Sequence, residues 1–479
     1  MEKYSKFFNE IQNLGDNLIE WINNGKNIHL ISNYEGDGIS ATSIFSKLIY
    51  HNGGEFHLRF INHIDKEWIN NYIKEFNKSF DNDYFIFLDL GAATLHYLHK
   101  FFPHDRVMII DHNQVRPKKK PRDLLFINLE DFNINGDVEI SSSGIAYFIA
   151  KKINEQDIEL CSSALIYNLA PIGLIGALAA KQDNGKQHKL VGLNELIFKD
   201  CKELNLIDTE VNIRFFRKNG PVYISLMETI DPYVMGITND KGKINDLLLK
   251  LDIPLKVSVN DLEKDKIREL NTELAKLVPV PEDLVGVNYY LQKESTNILK
   301  DAREFSIVLN ACGILESPSI GLALCLGDRG IHLKEAIKIY QKYQNKIELG
   351  LDFVGNPDNL LEKSTIQCVK GNDIIDERLI LPIALKASKL HILKPEKIIL
   401  GFFEDKKNNK IILYGHLNSQ NLINKDLNIW DAFKQTNKKL NINTKTIGNK
   451  IKARVKIPND IKIEQYLEIF DENIQKQNK

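Results

Sequence analysis

The sequence predicts an α/β fold in which a parallel-sheet domain is followed by a helical insertion and a smaller α/β domain. Three observations support this prediction. In the first third of the chain, short apolar runs alternate with helical stretches, as in β-α-β units. The middle of the chain carries charged sequence with helical periodicity, and the last third returns to strand-like runs between helices. At 479 residues the chain is long enough for two or three domains.

The composition is that of a globular protein and excludes several broad classes. Lysine and arginine number 63 and aspartate and glutamate 64, which leaves a net charge of -1. No global positive field therefore exists to hold a nucleic-acid backbone or an acidic membrane, so any such contact must be local. Hydrophobic residues at 43% and charged residues at 27% exclude wholesale disorder and a membrane bundle.

The cysteines and the N-terminal segment indicate a cytoplasmic protein. The five cysteines are odd in number and never form a C-x-x-C pair, so we expect free thiols in a reducing compartment. The N-terminal segment lacks the uninterrupted apolar core of a signal peptide. Residues 160–180 carry no charge, but Asn168, Pro171, Gly173 and Gly176 favour a buried helix beside a turn over a membrane span. We therefore expect no membrane contact.

The first element with a functional implication is a strand that leads into a glycine-containing loop. The apolar run 28–32 ends at the loop Asn33-Tyr-Glu-Gly-Asp-Gly38, and a helix is predicted over 39–50. Near-continuous apolar sequence in such short runs is typical of a parallel sheet covered on both faces. The further strands predicted in this domain cover residues 56–61, 84–88, 107–110 and 124–127.

The later elements predict the domain boundaries. Charged sequence such as NDLEKDKIRELNTELAKL occupies the middle of the chain and has the period of a helix. Strand-like runs follow nearer the C-terminus, at 378–381, 397–403, 411–414 and 451–457. We therefore predict a first domain over 1–195, a helical insertion over 196–300, and a linker helix with the second α/β domain over 301–479.

Acidic side chains and a histidine follow three of the predicted strands. Glu35 and Asp37 follow the first strand, Asp89 follows the third, and Asp111 with His112 follows the fourth. Ligands of open parallel sheets bind beyond the carboxyl ends of the strands, where we expect these residues to meet. Carboxylates and an imidazole are ligands for Mn²⁺ or Mg²⁺. Each aspartate alone would be a helix N-cap or a turn residue, and only their joint placement favours a metal site.

Four short motifs, in order along the chain, resemble those of the DHH phosphoesterase superfamily. They are Asn33-Tyr-Glu35-Gly-Asp37-Gly38, Asp89-Leu-Gly91, Asp111-His112-Asn113 and Gly173-Leu-Ile-Gly176-Ala177. The stretches SSSGIAYFIA and EFSIVLNACGILESPSIGLALCLGD add to a resemblance that covers nearly the whole chain. Within the superfamily, the chain is similar to the archaeal RecJ-like branch, which includes the GINS-associated nuclease and is related to cell division control protein 45. The resemblance implies a DHH-type sheet domain and a smaller DHH-associated α/β domain.

Four positions depart from the motifs of that family. Asn33 and Glu35 stand where the first motif, H-x-D-x-D, has its histidine and first aspartate. Asn113 replaces the second histidine of DHH, which in the family faces the scissile phosphate, and Ala177 replaces the last aspartate of the fourth motif. An amide binds these metals weakly, and glutamate displaces its carboxylate by one methylene. The resemblance therefore implies that no intact catalytic set is present.

The positions that match the family are Asp37, Asp89 and His112, with Asp111 in support. By the resemblance they form a remnant metal site. Hydrolysis of a phosphoester with two metals needs several ligands around each of two ions that lie about 3.5 to 4 Å apart. We expect no cofactor, or at most one weakly bound Mn²⁺ or Mg²⁺.

The second domain departs from the family as well. In active relatives a G-G-G-H loop binds the nucleotide, and a nearby arginine pairs with its phosphate. By alignment of the flanking sequence, Gly448 and Asn449 belong to this loop, and Asn418 stands where the arginine would be. Because only one of the loop's glycines is present, close approach of the backbone to a phosphate is compromised.

A basic loop follows the third motif. Arg116, Lys118, Lys119, Lys120 and Arg122 place five positive charges within seven residues. Such a loop would contact single-stranded DNA or the acidic surface of a partner protein. The alternative is a solvated loop whose prolines forbid regular structure.

Two functions of different classes are compatible with the sequence. The favoured hypothesis is a catalytically inactive scaffold that resembles the archaeal counterpart of cell division control protein 45 and binds the GINS complex and the MCM ring in the replicative CMG helicase. Partner binding needs surface complementarity rather than metal ligands, so the fold can serve it after the site has decayed. The alternative is a weak Mn²⁺-dependent exonuclease of the RecJ or GINS-associated type, which acts on single-stranded DNA in replication or repair. On either hypothesis we expect a cytoplasmic, nucleoid-associated protein.

Overall fold

The chain folds into two compact units, each with its own sheet. The computed structural model describes residues 2–76, 82–113, 124–156, 168–371 and 374–477. The first unit comprises Met1–Pro232, Ile237–Thr272 and Pro281–Tyr340. The second unit comprises Tyr233–Gly236, Glu273–Val280 and Gln341–Lys479.

A five-stranded parallel sheet organises the first unit and confirms the predicted sheet. Its strands are β1 (Asn27–Asn33), β2 (Phe56–Ile61), β3 (Asp83–Leu88), β4 (Val107–Ile110) and β5 (Leu125–Phe126). They lie in the order β2-β1-β3-β4-β5. The central strands are mostly apolar because both of their faces are covered, and all four residues of β4 are buried.

Among the described residues, seven α-helices accompany this sheet along the chain. They are α1 (Ser5–Asn23), α2 (Gly36–His51), α3 (Lys66–Phe76), α4 (Leu95–Phe101), α5 (Ser142–Gln156), α6 (Ala170–Ala179) and α7 (Leu193–Glu203). Helices α2, α5 and α6 pack against one another, and α1 packs on α5. This packing brings the N-termini of α2 and α5 to the strand ends that carry the predicted site.

Helix α6 tests the interpretation of the uncharged stretch 160–180. Its residues are almost all buried, as a core helix requires, and Pro171 lies in its first turn, where a missing N–H is tolerated. The buried helix is therefore confirmed for this part of the stretch, while residues 160–167 lie outside the described residues. No helix that the structure describes is long and apolar enough to cross a bilayer.

The segment predicted as a helical insertion also contains two strands, which is a correction to the sequence prediction. Strands β6 (Ile207–Ile213) and β7 (Val285–Leu291) form an antiparallel pair. Strand β6 escaped prediction because only its end residues are buried, so it lacks a continuous apolar run. The helices from here to the second sheet are α8 (Val222–Glu228), α9 (Lys241–Lys250), α10 (Lys264–Ala275), α11 (Asn297–Lys300), α12 (Ala302–Ile314), α13 (Pro318–Leu326) and α14 (Ile331–Gly355).

A six-stranded mixed sheet organises the second unit. Its strands are β8 (Leu360–Glu362), β9 (Ile366–Lys370), β10 (Ile398–Asp405), β11 (Lys410–His416), β12 (Ile447–Gly448) and β13 (Lys452–Pro458). They lie in the order β12-β13-β11-β10-β9-β8, and only β9 and β10 run parallel. The accompanying helices are α15 (Glu377–Lys389), α16 (Gln420–Asn424), α17 (Ile429–Lys439) and α18 (Ile463–Gln477). The core of this unit includes Leu413 and Val455 of the sheet with Phe433 and Phe470 of α17 and α18.

The prediction of a strand over 378–381 is wrong, because these residues belong to α15. The buried positions of this helix include Leu379, Ile380, Ile383, Ala384 and Ala387, which recur with the helical period. A short apolar run taken alone is compatible with both a strand and a buried helix turn, and here the longer pattern decides.

Candidate metal pocket and the turn of the second unit

The ends of three parallel strands bring Asp37, Asp89 and His112 together. One ligand atom from each side chain lies within 4.8 Å of the others, and the two aspartates are buried. Asp37 lies in the first turn of α2, directly after β1, while Asp89 follows β3 and His112 lies just beyond β4. The carboxyl ends of parallel strands share one edge of the sheet, so the meeting of these residues follows from the topology.

The carboxylate of Asp37 accepts hydrogen bonds from the start of α5. The backbone N–H groups of Ser142 and Ser143 donate to its two oxygens, at 2.8 and 2.9 Å. Burial alone would raise the pKa of Asp37, but hydrogen bonds from His112 and Ser143 lower it below its ordinary value. Asp37 therefore satisfies two of the free N–H groups at the N-terminus of another helix.

Asp89 adopts a left-handed backbone conformation with a φ of 58°, which is uncommon for a residue other than glycine. Its Oδ1 accepts from the hydroxyl of Ser142 at 2.9 Å, and its Oδ2 accepts from the amide of Asn33 at 3.0 Å. Burial and the neighbouring charge of Asp37 raise the pKa of Asp89 to about 6. Strained backbone of this kind is concentrated at functional sites.

His112 bridges the two aspartates. Its Nδ1 lies 3.4 Å from Oδ2 of Asp37, 3.2 Å from Oδ1 of Asp89 and 3.0 Å from Oγ of Ser142. Burial alone would lower the pKa of His112, but hydrogen bonds to Asp37 and Asp89 raise it well above its ordinary value. The imidazole and the two carboxylates thus form a buried ion cluster.

The other predicted positions have different surroundings. Glu35 is exposed and lies outside the cluster, although it immediately precedes α2. Asp111 accepts from the backbone N–H of Ala92 at 3.0 Å and from the amide of Asn113 at 2.7 Å, so it organises the local turn. Ala177 is buried in α6 and offers no ligand atom.

Two serines of this pocket escaped the sequence analysis as site residues. Ser142 and Ser143 belong to the SSSG stretch at the start of α5, and Ser142 is separated from its partner Asp37 by 105 positions. Gly176 of α6 stands behind them, because a Cβ there would collide with the hydroxyl of Ser143. The available signal in the sequence was the polar stretch that precedes an apolar helix. This signal predicts the start of a helix, but it does not identify the residue that accepts hydrogen bonds from the first N–H groups of that helix.

The donor set fits one divalent cation. Two carboxylates and one imidazole are ligands for Mn²⁺ or Mg²⁺, and within the described ranges this is the one group of three such side chains. Asp37, Asp89 and His112 would hold the ion, which would polarise a phosphate oxygen or a bound water. An ion would compete with Ser142, Ser143 and Asn33 for the carboxylate oxygens.

The loop predicted to match the nucleotide loop is a tight turn between β12 and β13. Gly448 has a φ of 125°, and a Cβ there would collide with the carbonyl oxygen of Lys452. The side-chain oxygen of Asn449 accepts from the backbone N–H groups of Ile451 and Lys452, each at 2.9 Å. These N–H groups are therefore engaged within the turn.

Asn418 has partners of its own in the second unit. Its amide donates to the hydroxyl of Ser388 at 2.6 Å and to the carbonyl of Pro395 at 3.2 Å. These contacts tie the segment after β11 to α15 and to the residues that follow this helix. The basic residues Arg116, Lys118, Lys119, Lys120 and Arg122 lie outside the described residues.

Sequence comparison finds a distant relative. No protein-family model matches the chain. An uncharacterized protein of Methanocaldococcus jannaschii is 26% identical over 317 residues, which make up 65% of this chain and 66% of that protein. The match therefore spans slightly less than two thirds of the relative's length.

Comparison with solved structures identifies the fold. The crystal structure of CDC45 from Entamoeba histolytica matches with a TM-score of 0.62 at 13% identity and covers 98% of this chain and 99% of that one. The crystal structure of the exonuclease RecJ bound to manganese matches with a TM-score of 0.53 at 13% identity. This match covers 98% of this chain and 94% of the RecJ chain. The chain therefore has the DHH-type α/β fold of CDC45 and RecJ, as its motifs predicted.

Proposed function

We propose that this protein is a catalytically inactive scaffold of the CDC45 type, which binds the GINS complex and the MCM helicase during DNA replication. The similarity of fold to CDC45 over nearly the whole chain supports this assignment at the level of architecture. A scaffold needs an intact shape and partner surfaces, both of which survive the loss of catalytic ligands. A cytoplasmic, nucleoid-associated location belongs to the same proposal.

The observation that carries the proposal is the set of hydrogen bonds inside the pocket. All four carboxylate oxygens of Asp37 and Asp89 accept from protein donors, namely the backbone of Ser142 and Ser143, the hydroxyl of Ser142 and the amide of Asn33. A two-metal hydrolase needs these oxygens for its ions and needs open positions for water and substrate. The pocket instead serves to hold α5 against the strand ends.

The loop of the second unit supports the same conclusion. In the turn after β12, Asn449 occupies backbone N–H groups that could otherwise face a phosphate. Asn418 supplies no positive charge and is held by Ser388 and Pro395. In both regions that the family uses for chemistry, the polar groups are thus hydrogen-bonded to other groups of the protein.

The scaffold proposal is tested by assembly of purified components. The full chain is mixed with the GINS and MCM proteins of the same organism at micromolar concentration and analysed by size-exclusion chromatography. We expect near-stoichiometric co-elution that is unchanged by a chelator and by Asp89→Asn, which keeps the shape of the side chain. Separate elution of the chain from both partners would contradict the proposal.

The second candidate function is a weak Mn²⁺-dependent exonuclease acting on single-stranded DNA. The observation that favours it is the retained cluster of Asp37, Asp89 and His112, which can accommodate one ion. It predicts release of mononucleotides from end-labelled single-stranded DNA in manganese, abolished by Asp89→Ala and by a chelator. Hydrolysis that persists in Asp89→Ala would identify a contaminating nuclease, whereas hydrolysis at the rate of an intact RecJ would overturn the scaffold proposal.

A further inference from the structure

The antiparallel pair of β6 and β7 has a free edge. Among the described residues, these two strands form a sheet of their own, and the outer side of β7 is bridged to Asp301 at Tyr290. No strand of the described chain pairs with the outer side of β6, whose residues 208–212 are exposed or half-buried. Such an edge presents unpaired N–H and C=O groups and is a template for pairing with a further strand.

The hydrogen bonds at the two ends of the pair identify the groups of β6 that point outward. The N–H of Arg214 donates to the carbonyl of Leu284, and the N–H of Gln292 donates to the carbonyl of Leu206, each at 2.9 Å. Both bonds continue the register of the two strands. Because successive residues of an antiparallel strand alternate between bonded and outward positions, the even-numbered residues of β6 bond to β7. The outward N–H groups belong to Ile207, Thr209, Val211 and Ile213.

Side chains of the same strand already occupy two of these outward N–H groups. The N–H of Thr209 donates to Oδ1 of Asp208 at 2.8 Å, and the N–H of Ile213 donates to the side-chain oxygen of Asn212 at 2.7 Å. A local hydrogen bond of this kind competes with a ladder hydrogen bond for the same donor. The carbonyl of an incoming strand therefore reaches these two N–H groups only after the side chains have been displaced.

Neighbouring side chains hold both acceptors in position. Nζ of Lys202 in α7 donates to Oδ1 of Asp208 at 3.1 Å, and the amide of Asn212 donates to Oε1 of Glu210 at 3.2 Å. Lys202, Asp208 and Glu210 are exposed, where polar contacts contribute little to the stability of a fold. The effect of this arrangement is therefore on the edge rather than on the core.

The other features of β6 favour strand pairing. Its four outward residues are all β-branched, and β-branched residues are enriched in strands. Val211, in the middle of the strand, is 50% exposed. A second copy of the chain presents the same edge with the same alternation of donors and acceptors, so the edge is complementary to itself in an antiparallel pairing.

We propose that Asp208 and Asn212 close the free edge of β6 against antiparallel pairing with a second copy of the chain. Their side-chain oxygens take the places at Thr209 and Ile213 that carbonyl groups of the second copy would need. Removal of the two acceptors opens the edge and leaves the hydrogen bonds between β6 and β7 in place. The proposal is independent of the metal pocket and of the proposed replication partners.

The test compares the full wild-type chain with the double variant Asp208→Ala/Asn212→Ala. Alanine has no side-chain acceptor and a low strand propensity, so a gain in pairing would come from the open N–H groups. We expect the constant for self-association, measured by sedimentation equilibrium, to rise about tenfold or more. In hydrogen exchange, peptides over 207–213 should gain protection as the protein concentration increases.

The matched control is Asp208→Asn. It removes the same charge as the double variant but keeps an acceptor oxygen at both positions, so it should associate no more than the wild type. Peptides over 285–291 of β7 provide a check of the fold. They should exchange as in the wild type at low protein concentration in every variant.

Three results would overturn the proposal. The first is a double variant that associates no more strongly than the wild type. The second is an Asp208→Asn variant that associates as strongly as the double variant, since the charge of Asp208 would then be what prevents association. The third is protection that grows with concentration only in peptides outside 207–213, which would place the interface elsewhere.

Discussion

The strand-end pocket of the first unit and the turn after β12 of the second unit, the two regions that the motif resemblance matches to sites of chemistry, satisfy their polar groups differently. In the pocket, Asp37 is held by N–H groups more than a hundred positions away in the sequence. In the turn, Asn449 accepts from residues two and three positions ahead. The pocket has become part of the tertiary structure of its unit, whereas the turn is stabilised locally.

This difference has a consequence for stability. Removing a group from the pocket leaves buried donors from α5 or buried charges without partners, and the cost includes their desolvation. Removing Asn449 exposes N–H groups of a surface turn, which water can reach. We therefore expect the two regions to differ in the size of mutational effects and in how far those effects spread.

The largest effect is expected for Asp37→Ala. The change leaves the N–H groups of Ser142 and Ser143 without their acceptor and removes one of the two carboxylates that pair with His112. We expect a loss of about 3 to 5 kcal/mol in the free energy of unfolding. Native-state hydrogen exchange of core peptides in the first unit measures it. The neighbouring exposed residue provides the control, since Glu35→Ala should change stability by less than about 0.5 kcal/mol. Equal effects of the two changes would refute a structural role for the pocket.

Ser142→Ala should have the next largest effect. Its hydroxyl donates to Asp89 and lies beside His112, so its loss is expected to destabilise the first unit by about 1 to 3 kcal/mol. Guanidinium unfolding monitored by exchange in each unit would show the change in the first unit alone. Ser319→Ala, at an exposed position of α13, is the matched control and should be neutral. A destabilisation shared by both units would contradict the assignment.

In the second unit, Gly448→Ala tests the backbone of the turn. The substitution places a Cβ against the carbonyl of Lys452 at a positive φ, and we expect a loss of about 1 to 3 kcal/mol. Exchange of the β12 and β13 peptides measures it. At Gly355 a Cβ would have open space, so Gly355→Ala should cause no such loss. Tolerance of alanine at both positions would mean that the turn can relax.

Asn449→Ala should have the smallest effect. It removes the acceptor for the N–H groups of Ile451 and Lys452, at an expected cost of about 0.5 to 1.5 kcal/mol. The same exchange measurement on β13 peptides detects it, with Asn443→Ala at an exposed position as the control. A loss as large as that of Asp37→Ala would remove the distinction between the two regions.

The sheet of the first unit was predictable because its central strands are mostly apolar on both faces and need no tertiary context to be recognised. Strand β6 was not predictable in this way, since its inner residues face solvent or are only partly buried. The run 378–381 was misassigned because its three apolar residues fit a strand as well as a helix turn. The local sequence pattern therefore identified the strands that are covered on both faces, missed a strand whose inner residues are exposed or half-buried, and could not distinguish a short strand from a buried helix turn.

The ligands of the pocket were predictable for a related reason. Asp37, Asp89 and His112 each follow a recognisable strand, and parallel strands end at a common edge. Glu35 lies at an exposed position just before α2, and Asp111 accepts a hydrogen bond within a turn. The sequence alone could not distinguish these two residues from the residues that form the cluster. Ser142 and Ser143 were missed as partners because their contacts depend on how α5 packs against α2.

The amino-acid sequence by itself determined the parallel sheet and the placement of Asp37, Asp89 and His112 at strand ends, because these features are local or follow from strand topology. Only the tertiary structure decided that the carboxylates of Asp37 and Asp89 accept from α5 and that Lys218 is paired with Asp301 in the interior. The physical reason is that hydrogen bonding and desolvation of a buried polar group depend on neighbours that the sequence separates by many positions.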